Sequence, residues 1–312
     1  MKRFAVLASL MLWFSSAAAE TILVIKNNST PLYDDPIRVL NSVLGRQHRL
    51  KVVDLGGANT LEEARARTRA SAPGPADLVV ALGDKAAFLA EKDFGSIPYL
   101  FAMVASWEPL GLNRGRASGI AMQLEPETMA SQIKTFLPGR QRIGVVYTDI
   151  ARPFVERAMQ KAASLQTTLI PVFVRSGEDF TTSMQAILPT VDLFWLVEDS
   201  SIVTPDNLKA LREAARSAKV PVVTYSAGLV EGGLTMAITV DRIAVGNQLA
   251  AMVAKVFAGT SPAALPVEAP ERSQVTLNRE SISELGLQLD PMVRSFAQIV
   301  ETRQDGGGKR PR

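Results

Sequence analysis

The chain has 312 residues, enough for two domains of ordinary size, and 47% of them are hydrophobic, enough to bury a core in each. It has no cysteine and a single histidine, His48, which excludes disulfides, thiol catalysis, thiolate metal sites and a lipid anchor on cysteine, and argues against a histidine-based metal centre or triad. The formal charge is +3, but Lys2, Arg3 and the basic closing segment TRQDGGGKRPR supply more than that, so the body between them carries about −2 and lacks the footprint of a nucleic-acid binder.

The first residues read as an export signal. Met1-Lys2-Arg3 is a basic start, FAVLASLMLWF an apolar run too short for a comfortable membrane span, and SSAAAE a small-residue cleavage site. Residues 1–19 are therefore expected to be removed after Ala19, leaving a periplasmic protein without lipid anchor or membrane span. Residues 301–312, Gly-rich and basic, are expected to be disordered.

From Thr21 the chain alternates apolar runs with helical patterns. TILVIK, a helical pattern over 36–46, LKVVDL, the helical TLEEARARTRAS, DLVVALG, a helix over 85–92, IPYLFAMV and SGIAM follow one another. The second half repeats the plan with RIGVVYT, a helix over 152–166, TLIPVFV, a helix over 178–188 and DLFWLVE. Next comes TPDNLKALREAARSAK, where Thr204 predicts the N-cap, Pro205 the first helical position and Asp206 an acid at the positive end. VPVVTYS and GLTMAIT complete the set. Continuous apolar strands between helices predict parallel sheets covered on both faces, hence an α/β protein of two Rossmann-like, flavodoxin-like lobes joined by a hinge.

In such sheets ligands sit beyond the carboxyl ends of the strands, at the switch point. In the first half those ends are Asn27-Asn28-Ser29 and Gly83-Asp84-Lys85; in the second they are Thr148-Asp149 and Glu198-Asp199-Ser200-Ser201. If the lobes face each other, the four loops line one cleft. Asp84 and Asp149 have an ordinary alternative as helix-capping acids, and Lys85 one as a solvated side chain. Asp199 differs, because Thr204 already caps the next helix; it is expected to meet a cationic or hydrogen-bond-donating group of the ligand. Trp107 is open between a cleft lip and an exposed loop, Trp195 and Met103 read as core, and His48 reads as surface.

The runs ETMASQIKTFLPGRQRIGVVYT, WLVEDSSIVTPDNLKALREAARSAKVPVVTYSAGLVEGGLTMAI and VDRIAVGNQLAAMVAKVFAGTSPAALPVE resemble the substrate-binding proteins of ABC transporters with the type I periplasmic-binding fold, in the subfamily that includes aromatic-amino-acid receptors. The resemblance implies hinge strands at GIAMQ (119–123) and AITVD (237–241). It also implies a first lobe from 20–119 plus 241–270 and a second from 120–240. Residues 271–300 are assigned to the second lobe, although the residues leave open which lobe takes the closing strand and helix. An amino-acid-like or aromatic small molecule would be the ligand, and an ABC permease or a membrane sensor the partner, with no cofactor and no enzymatic activity. Carried onto this chain, the ligand-contacting set adds Ser106, Tyr225, Ser226 and Asp241 to the strand-end residues above. Ala227 stands where many relatives carry an acid and Arg242 where tyrosine is common. A hydrolase is the competing class: Glu198 and Asp199 are adjacent acids, but neighbours in an extended segment point opposite ways, and no nucleophile elbow, Walker loop or dinucleotide fingerprint is present.

Overall fold

A computed structural model describes residues 19–104, 107, 110–112 and 116–303. Most of the proposed signal segment, Ser106 and the tail beyond Arg303 lie outside the described residues.

The first sheet is built from β1 (Thr21–Lys26), β2 (Arg49–Asp54), β3 (Leu78–Leu82), β4 (Tyr99–Val104) and β5 (Ala117–Ala121), linked by α1 (Pro31–Leu44), α2 (Leu61–Ser71) and α3 (Asp84–Asp93). All its pairings are parallel, in the order β2-β1-β3-β4-β5. Every residue of β3 and β4 is buried, as the unbroken apolar runs require for strands covered on both faces. Because β2 and β3 lie on opposite sides of β1, the chain turns opposite ways after β1 and after β3, which opens a crevice at their carboxyl ends.

The second sheet follows from α4 (Pro126–Phe136), β6 (Arg142–Tyr147), α5 (Arg152–Ala162), β7 (Thr168–Phe173), α6 (Phe180–Ile187), β8 (Leu193–Leu196), α7 (Pro205–Ala218), β9 (Val222–Thr224), α8 (Ala227–Glu231) and β10 (Met236–Val240). It is completed by the end of the chain: after α9 (Arg242–Phe257) come β11 (Ser273–Asn278), α10 (Arg279–Glu284), α11 (Pro291–Arg294) and β12 (Ala297–Val300). The order is β12-β11-β10-β9-β8-β6-β7; β11 runs antiparallel to β10 and the other pairings are parallel. Pro171 is tolerated because β7 is an edge strand, where a missing N–H removes no ladder bond on the open side. The cap expected at Thr204 forms, its hydroxyl accepting from Asn207 N at 3.3 Å.

The helix expected over 36–46 instead begins at Pro31, whose fixed φ suits the first turn, and runs through Pro36. Although α9 follows β10 of the second sheet, it packs on α1 and on β4 and β5 of the first. The helices approach closely at Gly246, where a Cβ would stand 2.7 Å from Val39 Cβ. After α9, Ser118 Oγ donates to Pro266 O at 2.7 Å and Glu268 N to Gly119 O at 2.9 Å, laying this segment along β5. His48, expected at the surface, is half-buried, because Phe257 on α9 covers its ring at 4.7 Å and Glu20 pairs with it. Trp107 stacks on Phe101 at 6.3 Å and packs against the first sheet's core.

Candidate functional site

The loops at the carboxyl ends of both sheets hold most of the residues singled out from the sequence. In the first lobe many of them are occupied with one another. Asn28 is exposed; Ser29 donates to Asp54 and accepts from Lys26 Nζ at 2.9 Å. Burial works to raise the pKa of Asp54, but Ser29, the Gly56 amide and Lys26 outweigh it and hold the carboxyl below its ordinary value. Lys85 reaches back to Ala58 O at 3.1 Å, so it ties α3 to the loop after β2.

Gly83 precedes α3 at φ 96 and ψ 164, a conformation open to glycine, and a Cβ there would lie 2.5 Å from Asn27 Cγ. The space belongs to the Asn27 side chain, whose Oδ1 accepts from Ala86 N at 3.0 Å and so caps α3 from another strand. Asp84 stands half-buried in the first turn of that helix. Its charge is felt by Tyr33, whose pKa is raised by burial first and by Asp84 in addition, against a hydrogen bond from Asn27.

In the second lobe Asp199 is fully buried. One carboxylate oxygen accepts from Thr148 N and Thr148 Oγ1, both at 2.8 Å, and the other from Ser201 N at 3.1 Å. Asp199 therefore staples the loop after β8 to the end of β6. The contact expected of Asp199 is with a ligand; the three bonds it makes here are to the protein's own amides and hydroxyl. Thr148 is buried in the same staple. Asp149 is exposed and pairs with Arg152 at 2.6 Å, and Ser200 is exposed. Asp241 caps α9, accepting from Ile243 N at 3.0 Å and Ala244 N at 3.1 Å.

A cavity of about 360 Å³ opens beside these loops. The sides of Phe154, Trp195, Val197 and Val240 give it an apolar floor, Leu32 of α1 closes it from the first-lobe side, and the Met122-Gln123-Leu124 segment leading from β5 towards the second lobe borders it. The Phe154 and Trp195 rings meet edge to face at 5.3 Å, so Trp195, read as core, is both core and cavity wall. Of the expected residues, Tyr225 and Ser226 line it. Two residues left out of the expected ligand-contacting set line it as well: Glu198, placed at a strand end and weighed as a hydrolase acid, and Arg242, noted only as a departure from tyrosine.

Glu198 keeps access to solvent through the cavity mouth, yet desolvation by the surrounding protein, followed by the charge of Asp84, pushes its carboxyl above the ordinary range. The hydroxyl of Tyr225 is pushed up to about 12 by burial first and by Glu198 and Asp199 next, so it is a neutral donor at any physiological pH. Arg242 Nε donates to Asp35 of α1 at 2.7 Å. The charged groups of the lining are thus Glu198 and Arg242, over an aromatic floor. Among the described residues no cluster of His, Cys, Asp or Glu is placed to hold a metal ion, and no helix is long and apolar enough to cross a membrane.

Two parallel-sheet lobes, a chain that passes between them more than once, and a cavity walled by segments of both define a binding protein of the periplasmic type I fold. Solved structures agree on that fold. A substrate-binding protein with adhesive properties from Clostridium difficile, in its ligand-free, open form, superposes with a TM-score of 0.76 at 17% identity, over 91% of this chain and 100% of that one. An ABC domain in complex with L-Trp from Streptococcus pneumonia gives 0.62 at 19% identity, over 91% and 100%. A conserved domain protein from Vibrio cholerae gives 0.61 at 22%, over 92% and 100%. No curated protein matches the sequence. The family model for ABC transporter substrate binding proteins matches residues 63–300, and the chain belongs to that family.

Proposed function

We propose that the chain is an exported receptor, cleaved after Ala19, that captures a small molecule between its two lobes and presents it to an ABC importer without chemical change. The observation that carries this reading is the cavity of about 360 Å³, whose walls come from α1 on one side and from the ends of β8, β9 and β10 on the other, bordered by the segment leading from β5 towards the second lobe. A molecule held there touches both lobes, so it binds the closed arrangement better than the open one and drives closure by that difference. The floor of Phe154 and Trp195 suits an aromatic or other flat apolar body, and Glu198, Tyr225 and Ser226 suit a donor-bearing head group. The complex of L-Trp with a structurally similar protein supports a ligand of that kind.

Mature protein recovered from the cell envelope and examined by native mass spectrometry is expected to carry a small molecule. Small-angle scattering of the stripped protein is expected to show compaction when that molecule is returned. An unchanged scattering profile at saturating ligand, or turnover of the ligand, would count against the receptor reading.

A further inference from the structure

We propose that Arg242 is the anion anchor of the cavity and that the captured molecule carries a carboxylate. This rests on the reading of the cavity as the capture site and goes on to name the ligand's chemistry.

Arg242 is the first residue of α9, separated from the end of β10 by Asp241 alone, and lines the cavity. One edge of its guanidinium is fixed: Nε donates at 2.7 Å to Asp35, which is 8% exposed. Its two Nη groups have no hydrogen-bond partner among the described residues, so the fork that binds a carboxylate with two parallel bonds is held in place and unused. Asp35 does not cancel this charge, because it also accepts from Arg38, leaving two guanidinium groups around one carboxylate. Both keep Asp35 ionised: burial alone would raise its pKa, but the hydrogen bonds from Arg242 and Arg38 outweigh burial and hold it below the ordinary value.

The start of α3 is a poor seat for an anion. Asn27 already occupies the Ala86 amide there, and Asp84 adds a negative charge to the first turn. Glu198 completes the arrangement. It leaves β8, two strands away from β10 with β9 between them, so the backbone origins of the two charges lie roughly 10 Å apart by ordinary strand spacing. An acid on Arg242, a donor on Glu198 and an apolar body over Trp195 and Phe154 use every charged group of the lining.

Three probes with one indole body separate these contributions: indole-3-propionate has the acid alone, tryptamine the amine alone, and L-tryptophan both. Calorimetry on the mature chain is expected to show the propionate binding to wild type, with Arg242→Gln weakening it at least about 30-fold, the loss typical of a charged hydrogen-bond partner. L-Tryptophan should weaken similarly in that variant, whereas Arg242→Lys, which keeps a point charge beside Asp35, should fall between. A thermal melt without probe checks the fold; if the glutamine variant does not fold, the lysine variant alone decides, with weakened acid binding expected. Acid binding within threefold of wild type in a folded variant overturns the proposal. So does tryptamine binding where the propionate does not, an outcome that leaves the receptor reading standing. If wild type binds none of the three at about 10 mM, the aromatic-cavity reading falls and this inference falls with it.

Discussion

Replacing Asp199 by alanine separates a ligand contact from a structural staple. The side chain is fully buried and accepts three hydrogen bonds, from Thr148 N, Thr148 Oγ1 and Ser201 N. Alanine leaves these donors without their acceptor. The Thr148 amide, deep at the end of β6, loses about 1–3 kcal/mol; the Ser201 amide, nearer the surface, loses less because water replaces the carboxylate; the Thr148 hydroxyl can turn to another acceptor. The expected loss is therefore about 2–4 kcal/mol, or a fall of roughly 5–15 °C in the melting temperature of a domain of this size. The assay is a circular-dichroism melt of the ligand-free protein beside wild type, followed by calorimetry with the copurified molecule below the melt. A variant that melts within about 2 °C of wild type but loses ligand would refute the staple and restore Asp199 as a ligand contact.

Gly83→Ala should lower stability by about 2–4 kcal/mol in urea unfolding, from strain at positive φ and from displacing Asn27 off the start of α3; an unchanged midpoint would show that the loop has another conformation. Glu198 gives a pH signature. Desolvation and the charge of Asp84 raise its pKa, so the folded state binds this proton more tightly than the unfolded chain, and its contribution is most favourable at low pH and falls as pH rises through the raised value. The urea midpoint of wild type should therefore decline relative to Glu198→Gln as pH rises above the ordinary carboxylate value of about 4; parallel curves would sink the assignment.

The lobes were legible because buried parallel strands write themselves as unbroken apolar runs; DLVVALG and IPYLFAMV contain β3 and β4, all of whose residues are buried. The seat of the closing strand was not legible, since SQVTLN has no feature that chooses between two sheets; its register against β10, with Ile238 opposite Val275, is a tertiary fact. At the site, Tyr225 and Ser226 were named through the family resemblance of TYSAG, and both line the cavity. Asp199 and Glu198 could not be told apart, because strand alternation says that two neighbours face opposite ways without saying which one faces the cavity. The pairing of Arg242 with Asp35 spans 207 residues and leaves no mark in either local pattern.

That separation also dictates an order of assembly. The α1 face that receives Gly246 and Arg242 stays bare until α9 has been synthesised, and closing a loop of 207 residues costs about 5 kcal/mol of chain entropy before any contact repays it. The stretch from α4 to β10 needs no such wait, so the half that comes second in the chain can gain structure while the first half is still open. A polypeptide that cannot lock its first sheet until its last third exists leaves one face of that sheet uncovered for longer than a chain of two consecutive domains would.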